Sequence, residues 1–207
     1  MSKRYYFIIL FFLTFITSVK SQIDTTFWFA APDMSQGLGD RPIYLYFNTY
    51  TQPATVKVSQ PANGSFSQIT RTITANSIDS INLTAFIGSI ENSTANSVLN
   101  RGLYISSNAK ISALYSIKAP NNKESFSLKG PKALGTDFYI PMQEFWNQSP
   151  ATSPKSFSSI DIVASDNSTT VLITPRTTII GHAANVTYSI ALQLILAKIL
   201  LDLLQQV

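Results

Sequence analysis

The sequence predicts an all-β fold made of tandem, sandwich-like units of antiparallel strands. Three observations predict it. Apolar and polar residues alternate with period two in one segment after another, the mark of a half-buried strand. Charged residues make up only 13% of the chain, and the rest is rich in Ser, Thr, Asn and β-branched residues, which suit strands and turns. The same order of strand-like segments also occurs twice.

The first 21 residues stand outside this pattern. Lys3 and Arg4 precede an apolar run from Tyr5 to Thr17, and Val19 and Ser21 suit the positions before a cleavage at Gln22. The run is shorter than the ~20 residues of a spanning helix. Residues 1–21 therefore read as a signal peptide, and the mature protein as secreted or cell-surface with no stable membrane span. Losing Lys3, Arg4 and Lys20 lowers the formal net charge from +4 to +1, so the basic balance of the whole chain makes no case for nucleic acid. The remaining 186 residues suffice for a real core. With no cysteine, that core is held by burial and not by disulfides, although secretion would permit them.

The first unit spans 22–131 and opens with a strand in DTTFWF, from Asp24. IYLYFNT places Ile43, Leu45 and Phe47 on one face and Tyr44 and Tyr46 on the other. ATVKVSQ sets Val56 and Val58 around Lys57, and SIDSINL buries Ile81 and Leu83. In ITRTIT, Arg71 shares a face with Ile69 and Ile73, which requires an edge position or a bulge. GLYISSNAKISALYSIKA reads as a hairpin turning at Ser107, Asn108 and Ala109.

The second unit, 132–190, repeats the order incompletely. Phe27 corresponds to Phe138 at an offset of 111, Ile43 to Ile160 at 117, Val56 to Val171 at 115 and Ile69 to Val186 at 117. Trp28 and Trp146, at matching ends of the two units, read as packing anchors. The Leu-rich tail 191–207, ALQLILAKILLDLLQQV, breaks the pattern and leaves two readings open. It is either a short C-terminal helix on the sheet or the product of a frameshift that truncates the second unit.

Catalytic constellations are thin. The single histidine, His182, sits in a glycine-containing loop, and without cysteine or a second histidine no ordinary zinc site exists. The carboxylates Asp161, Asp166 and Glu144 show no paired arrangement, so no enzyme and no cofactor are expected. The loop PDMSQGLGDRP offers Asp33 and Asp40 as a weak calcium-loop candidate, set against a plain turn with Arg41 paired locally. Tyr44 and Tyr46 form a ligand platform if their face is wet, and core if another sheet covers it. The basic residues Arg101, Lys110, Lys118, Lys123, Lys129 and Lys132 fit either an acidic polysaccharide or Lys-protected strand edges. Six N-x-S/T sequons begin at Asn63, Asn82, Asn92, Asn147, Asn167 and Asn185.

TTFWFAAPDMSQGLGDRPIYLYFNTYTQPATVKVSQPAN, SVLNRGLYISSNAKISALYSI and LKGPKALGTDFYIP together resemble the IgGFc-binding protein N-terminal domain family, over about Asp24 to Ile190. The family includes a mammalian mucus protein and many secreted or surface proteins of bacteria. Its domain is usually longer, so the resemblance implies that only its first part is present here. Family members often carry cysteines in the segment matching KAPNNKESFSLKG, where this chain has none. The resemblance implies a non-catalytic adhesion or binding module whose partner is an extracellular protein or glycan. The alternative is a polysaccharide-binding module of a larger degrading or surface protein. No Fc-contacting motif can be placed on individual residues.

Sequencing the gene across codons 185 to 207 and beyond separates the two readings of the tail. A frameshift requires further β-type sequence in the other frame, and an unshifted stop after Val207 makes the Leu-rich tail native.

Overall fold

The computed structural model describes residues 22–34, 39–94, 96–141 and 159–192. The leader, Glu144, Trp146, the Asn147 sequon and most of the Leu-rich tail lie outside the described residues. The described fold is all-β in antiparallel sheets, with one helical turn at α1 (Ile87–Ile90). A single short parallel pair, β2 (Ala31–Pro32) with β7 (Glu91–Asn92), is the exception.

The main sheet has seven strands: β1 (Ile23–Phe29), β3 (Ile43–Thr49), β4 (Ala54–Ser59), β5 (Ile69–Ile73), β6 (Ile78–Asn82), β8 (Leu103–Ala119) and β9 (Asn122–Ser127). Four of them hydrogen-bond to β8. Its first half lies between β4 and β1, where Ile105 faces Val58 on one side and Phe27 on the other. Its second half lies between β3 and β9, where Tyr115 faces Leu45 and Phe126. The sheet is completed by β5, which forms a hairpin with β4, and by β6, which pairs antiparallel with β3. Arg71 is tolerated because β5 is an edge strand, where it stays exposed.

Residues 103–119 thus form one continuous strand and not the hairpin expected from Ser107-Asn108-Ala109. Leu103, Ile105, Ile111, Ala113, Tyr115, Ile117 and Ala119 share one parity, and an unbroken strand buries all of them. The turn-forming residue is used differently, since the backbone N–H of Thr55 donates to Asn108 Oδ1 at 2.7 Å. The register of β1 jumps here from Ile111 opposite Asp24 to Ser106 opposite Thr26. The surplus residues of β8 bulge, which bends the strand and lets it serve β4 and then β3.

Both halves line one core that includes Phe27, Leu45, Phe47, Val56, Ile81, Leu83, Ile105 and Tyr115. Tyr115 is the largest fully buried side chain, and Phe29 and Phe126 lie against it with ring centroids 4.8 and 6.3 Å away. Polar side chains tie the loops to this core. Gln60 Nε2 donates to the carbonyls of Ser89 and Arg101, at 2.9 and 3.0 Å, and the buried Asn92 amide donates to the Ala31 carbonyl.

The later residues are more loosely built. β10 (Thr169–Ile173) and β11 (Tyr188–Leu192) form a separate antiparallel pair, and Ile179 is buried against Ile160, Ile162, Ile173, Tyr188 and Ile190. Ala191 and Leu192, the start of the Leu-rich tail, belong to β11. The expected first strand of this unit is absent: Phe138, Tyr139 and Ile140 lie outside any strand and are exposed. The physical difference is the partner. Phe27 is buried because β8 hydrogen-bonds to its strand, and no described residue plays that part for Phe138.

The Tyr115 hydroxyl is buried without a protein hydrogen-bond partner. Tyr115→Phe is therefore expected to be neutral or slightly stabilising, whereas Tyr115→Ala should cost about 3–5 kcal/mol. Urea unfolding of both variants checks the contrast.

Candidate functional site

The alternation that buries Ile43, Leu45 and Phe47 turns Tyr44 and Tyr46 to the opposite face of the sheet, where both are partly exposed. Their ring centroids are 5.8 Å apart and tilted by 37°. On the neighbouring strand the residues of matching parity are Ser112, Leu114, Ser116 and Lys118. Lys118 extends back over the pair, with Nζ 4.5 Å from the Tyr46 centroid and 5.7 Å from that of Tyr44. A cation over an aromatic face is attracted by the ring quadrupole, so both partners are positioned without any carboxylate.

This face opens into a groove of about 600 Å³ whose lining includes Tyr46, Asn48, Tyr50, Leu114, Lys118 and Ser127. Hydroxyl groups dominate its polar content, and Ser116 and Ser125 share a hydrogen bond of 3.0 Å between their Oγ atoms. Apolar surface is also present at Ile78, exposed on the edge strand β6. The arrangement suits a ligand that presents an apolar face and several hydrogen-bonding groups.

Trp28 lies on the outer side of β1, because its neighbour Phe27 takes the core position, and its ring sits 5.4 Å from that of Tyr104. It is a surface aromatic of the other half of the sheet, not the packing anchor expected from its position in the unit. Lys118 was read from the sequence only as one of six scattered basic residues. Its place beside Tyr44 and Tyr46 comes from the β3–β8 register, which no local pattern in the sequence reveals.

The loop carrying Asp33 and Asp40 is described only at its ends. Asp40 is buried, and Arg41 donates to both its oxygens, Nε to Oδ1 at 2.8 Å and Nη2 to Oδ2 at 3.1 Å. These hydrogen bonds hold the Asp40 carboxyl below its ordinary pKa, against the opposing effect of burial. Asp33 is exposed, and no group of three or more potential metal ligands occurs among the described residues. Gly39 has φ of +95°, and a Cβ there would come within 2.9 Å of the Ala119 Cβ, so the approach of this loop to β8 requires glycine.

His182 closes a turn with Ile179, and Gly181 supplies the positive φ within it. Its ring stacks on Tyr188 with centroids 3.5 Å apart, and burial pushes the Tyr188 hydroxyl up to about 12. Asp166 accepts a hydrogen bond from Ser165 at 2.9 Å. Among the sequons, Asn92 is fully buried and its amide is used internally, while Asn82 and Asn185 are exposed. No helix among the described residues is long and apolar enough to cross a membrane.

The family model described as IgGFc binding protein matches residues 124–195, so this stretch is similar to an IgGFc-binding domain. The matched stretch covers about a third of the chain, taking in β9 from Glu124 together with β10 and β11. No curated protein and no solved structure matches the chain.

The depressed Asp40 pKa sets the sign of a pH effect. A carboxylate whose folded pKa lies below its unfolded value contributes stability above the unfolded value and loses it as pH falls through the folded one. Asp40→Asn should therefore lower Tm at neutral pH, and the gap to wild type should close below the ordinary carboxylate range. Thermal melts of both proteins from about pH 7 to about pH 2 check this.

Proposed function

We propose that the protein is a secreted or cell-surface, non-catalytic binding or adhesion module, and that Tyr44 and Tyr46 carry its ligand contact. The carrying observation is the match of residues 124–195 to a family whose namesake binds an immunoglobulin Fc region. The basic and apolar leader 1–21 supports export. Two units, 22–131 and 132–190, form the mature chain, the second being incomplete. Support for the second comes from β10 and β11, which form an antiparallel hairpin in the order expected for counterparts of β4 and β5.

The ligand is an extracellular protein or a glycan. Paired tyrosines on an open sheet face provide flat apolar area at low entropic cost, since each ring has few torsions to immobilise. The second reading, a polysaccharide-binding module of a larger protein, is favoured by the hydroxyl-lined groove beside the rings.

Retention on immobilised immunoglobulin Fc and on a glycan panel tests the proposal. Wild type should be retained on at least one surface, and Tyr44→Ala with Tyr46→Ala should abolish that retention while the melting transition persists. Retention by the folded double variant would sink the assignment of this face. A lost melting transition would place the two tyrosines in the core.

A further inference from the structure

Resting on the assignment of the tyrosine face, we infer that its ligand is an anionic polysaccharide, bound in the groove beside Tyr46 with its carboxylate or sulfate at Lys118.

The inference follows from the distribution of charge between the two sides of the sheet. Lys118 and Lys123 are direct register partners on β8 and β9, so their side chains leave the same face about 5 Å apart. Residues of the same parity on β3, β6 and the second half of β8 include Tyr44, Tyr46, Asn48, Ser80, Asn82 and Ser116, with no carboxylate among them. The carboxylates of these strands have the other parity: Asp79 stands opposite Phe47, and Glu124 opposite Ile117. On these described strands the outer face is therefore cationic without internal neutralisation, and the ion pair of Asp40 with Arg41 is formed elsewhere.

The position of the Lys118 ammonium adds specificity. The tyrosine rings hold it by their quadrupoles, at 4.5 and 5.7 Å, and a quadrupole carries no net charge. The ammonium is thus ordered before binding yet keeps its full charge for an anion. A pyranose has one apolar C–H face that suits the Tyr50 and Leu114 lining of the groove, while its hydroxyls meet Asn48, Ser125 and Ser127. A neutral glycan would use the rings and leave both lysines unpaired. A linear acidic polymer satisfies rings, hydroxyls and ammonium groups together, and successive residues extend along the open groove.

Titration of the full chain with polygalacturonate, its methyl ester and a sulfated galactan tests the inference. At low salt the acidic polymers should bind, the methyl ester about tenfold more weakly or less, and added salt should weaken the acidic complexes. Binding of polygalacturonate alone assigns a carboxylate, and of the sulfated galactan alone a sulfate. Lys118→Glu, an exposed substitution, should lower affinity for the acidic polymer at least about tenfold. Equal binding of acid and ester, unchanged affinity in Lys118→Glu, or no binding of either acidic polymer would overturn the inference. If Tyr44→Ala with Tyr46→Ala abolishes binding while Lys118→Glu does not, the tyrosine face stands and the anionic ligand is rejected. Retained acidic binding in the folded double tyrosine variant rejects the face itself. Retention on immunoglobulin Fc without polymer binding assigns a protein ligand and rejects the polysaccharide.

Discussion

The seven-stranded sheet depends on β8 running unbroken through Ser107 to Lys110. β4 and β1 pair with its first half, β3 and β9 with its second, and β5 and β6 attach to β4 and β3. Because side chains alternate strictly, one register determines two rows at once. The row containing Ile105, Ile111 and Tyr115 enters the core, and the row containing Ser112, Leu114 and Lys118 lies on the opposite face. The constraint that buries Tyr115 is the same one that brings Lys118 over Tyr46. A shift of one residue would expose the aromatic core and bury a lysine, so the core enforces the geometry of the outer face.

Residues 159–192 illustrate the same dependence by contrast. β10 and β11 pair with each other, but no described strand joins them to Phe138, Tyr139 and Ile140. Their core is correspondingly small, with Ile179 surrounded by partly buried neighbours, and Leu172 and Val186 remain exposed. An apolar strand residue is buried only when neighbouring strands place other apolar residues around it. The IgGFc-binding-like match falls mainly on this part of the chain, whereas the aromatic and lysine face belongs to the larger sheet.

Much of the fold was legible because period two is a local property. Ile43, Leu45, Phe47, Val56, Val58, Ile81 and Leu83 all took the buried positions that alternation assigns them. The edge placement of β5 was legible from Arg71, since a charged residue on an apolar face demands solvent. The hairpin expected at Ser107-Asn108-Ala109 failed because local turn chemistry was outweighed by the long-range ladders to β3 and β4. Asn108 kept its hydrogen-bonding habit but served Thr55, a residue 53 positions away. Trp28 was misplaced for a related reason: size suggested an anchor, while the parity of Phe27 had already assigned the core position.

By itself the sequence determined the all-β class, the faces of the strands, the absence of disulfides and the placement of Tyr44 and Tyr46 opposite the face of Ile43 and Leu45. Each follows from composition or from the alternation of neighbouring residues, which needs no knowledge of distant contacts. Only the tertiary structure decided which strands pair with β8, that Arg41 occupies both oxygens of Asp40, and that Lys118 joins the tyrosines. The tyrosines and Lys118 are more than seventy residues apart in the chain, and no local pattern links them. Their meeting is a consequence of strand register, which is set by burying the whole core at once.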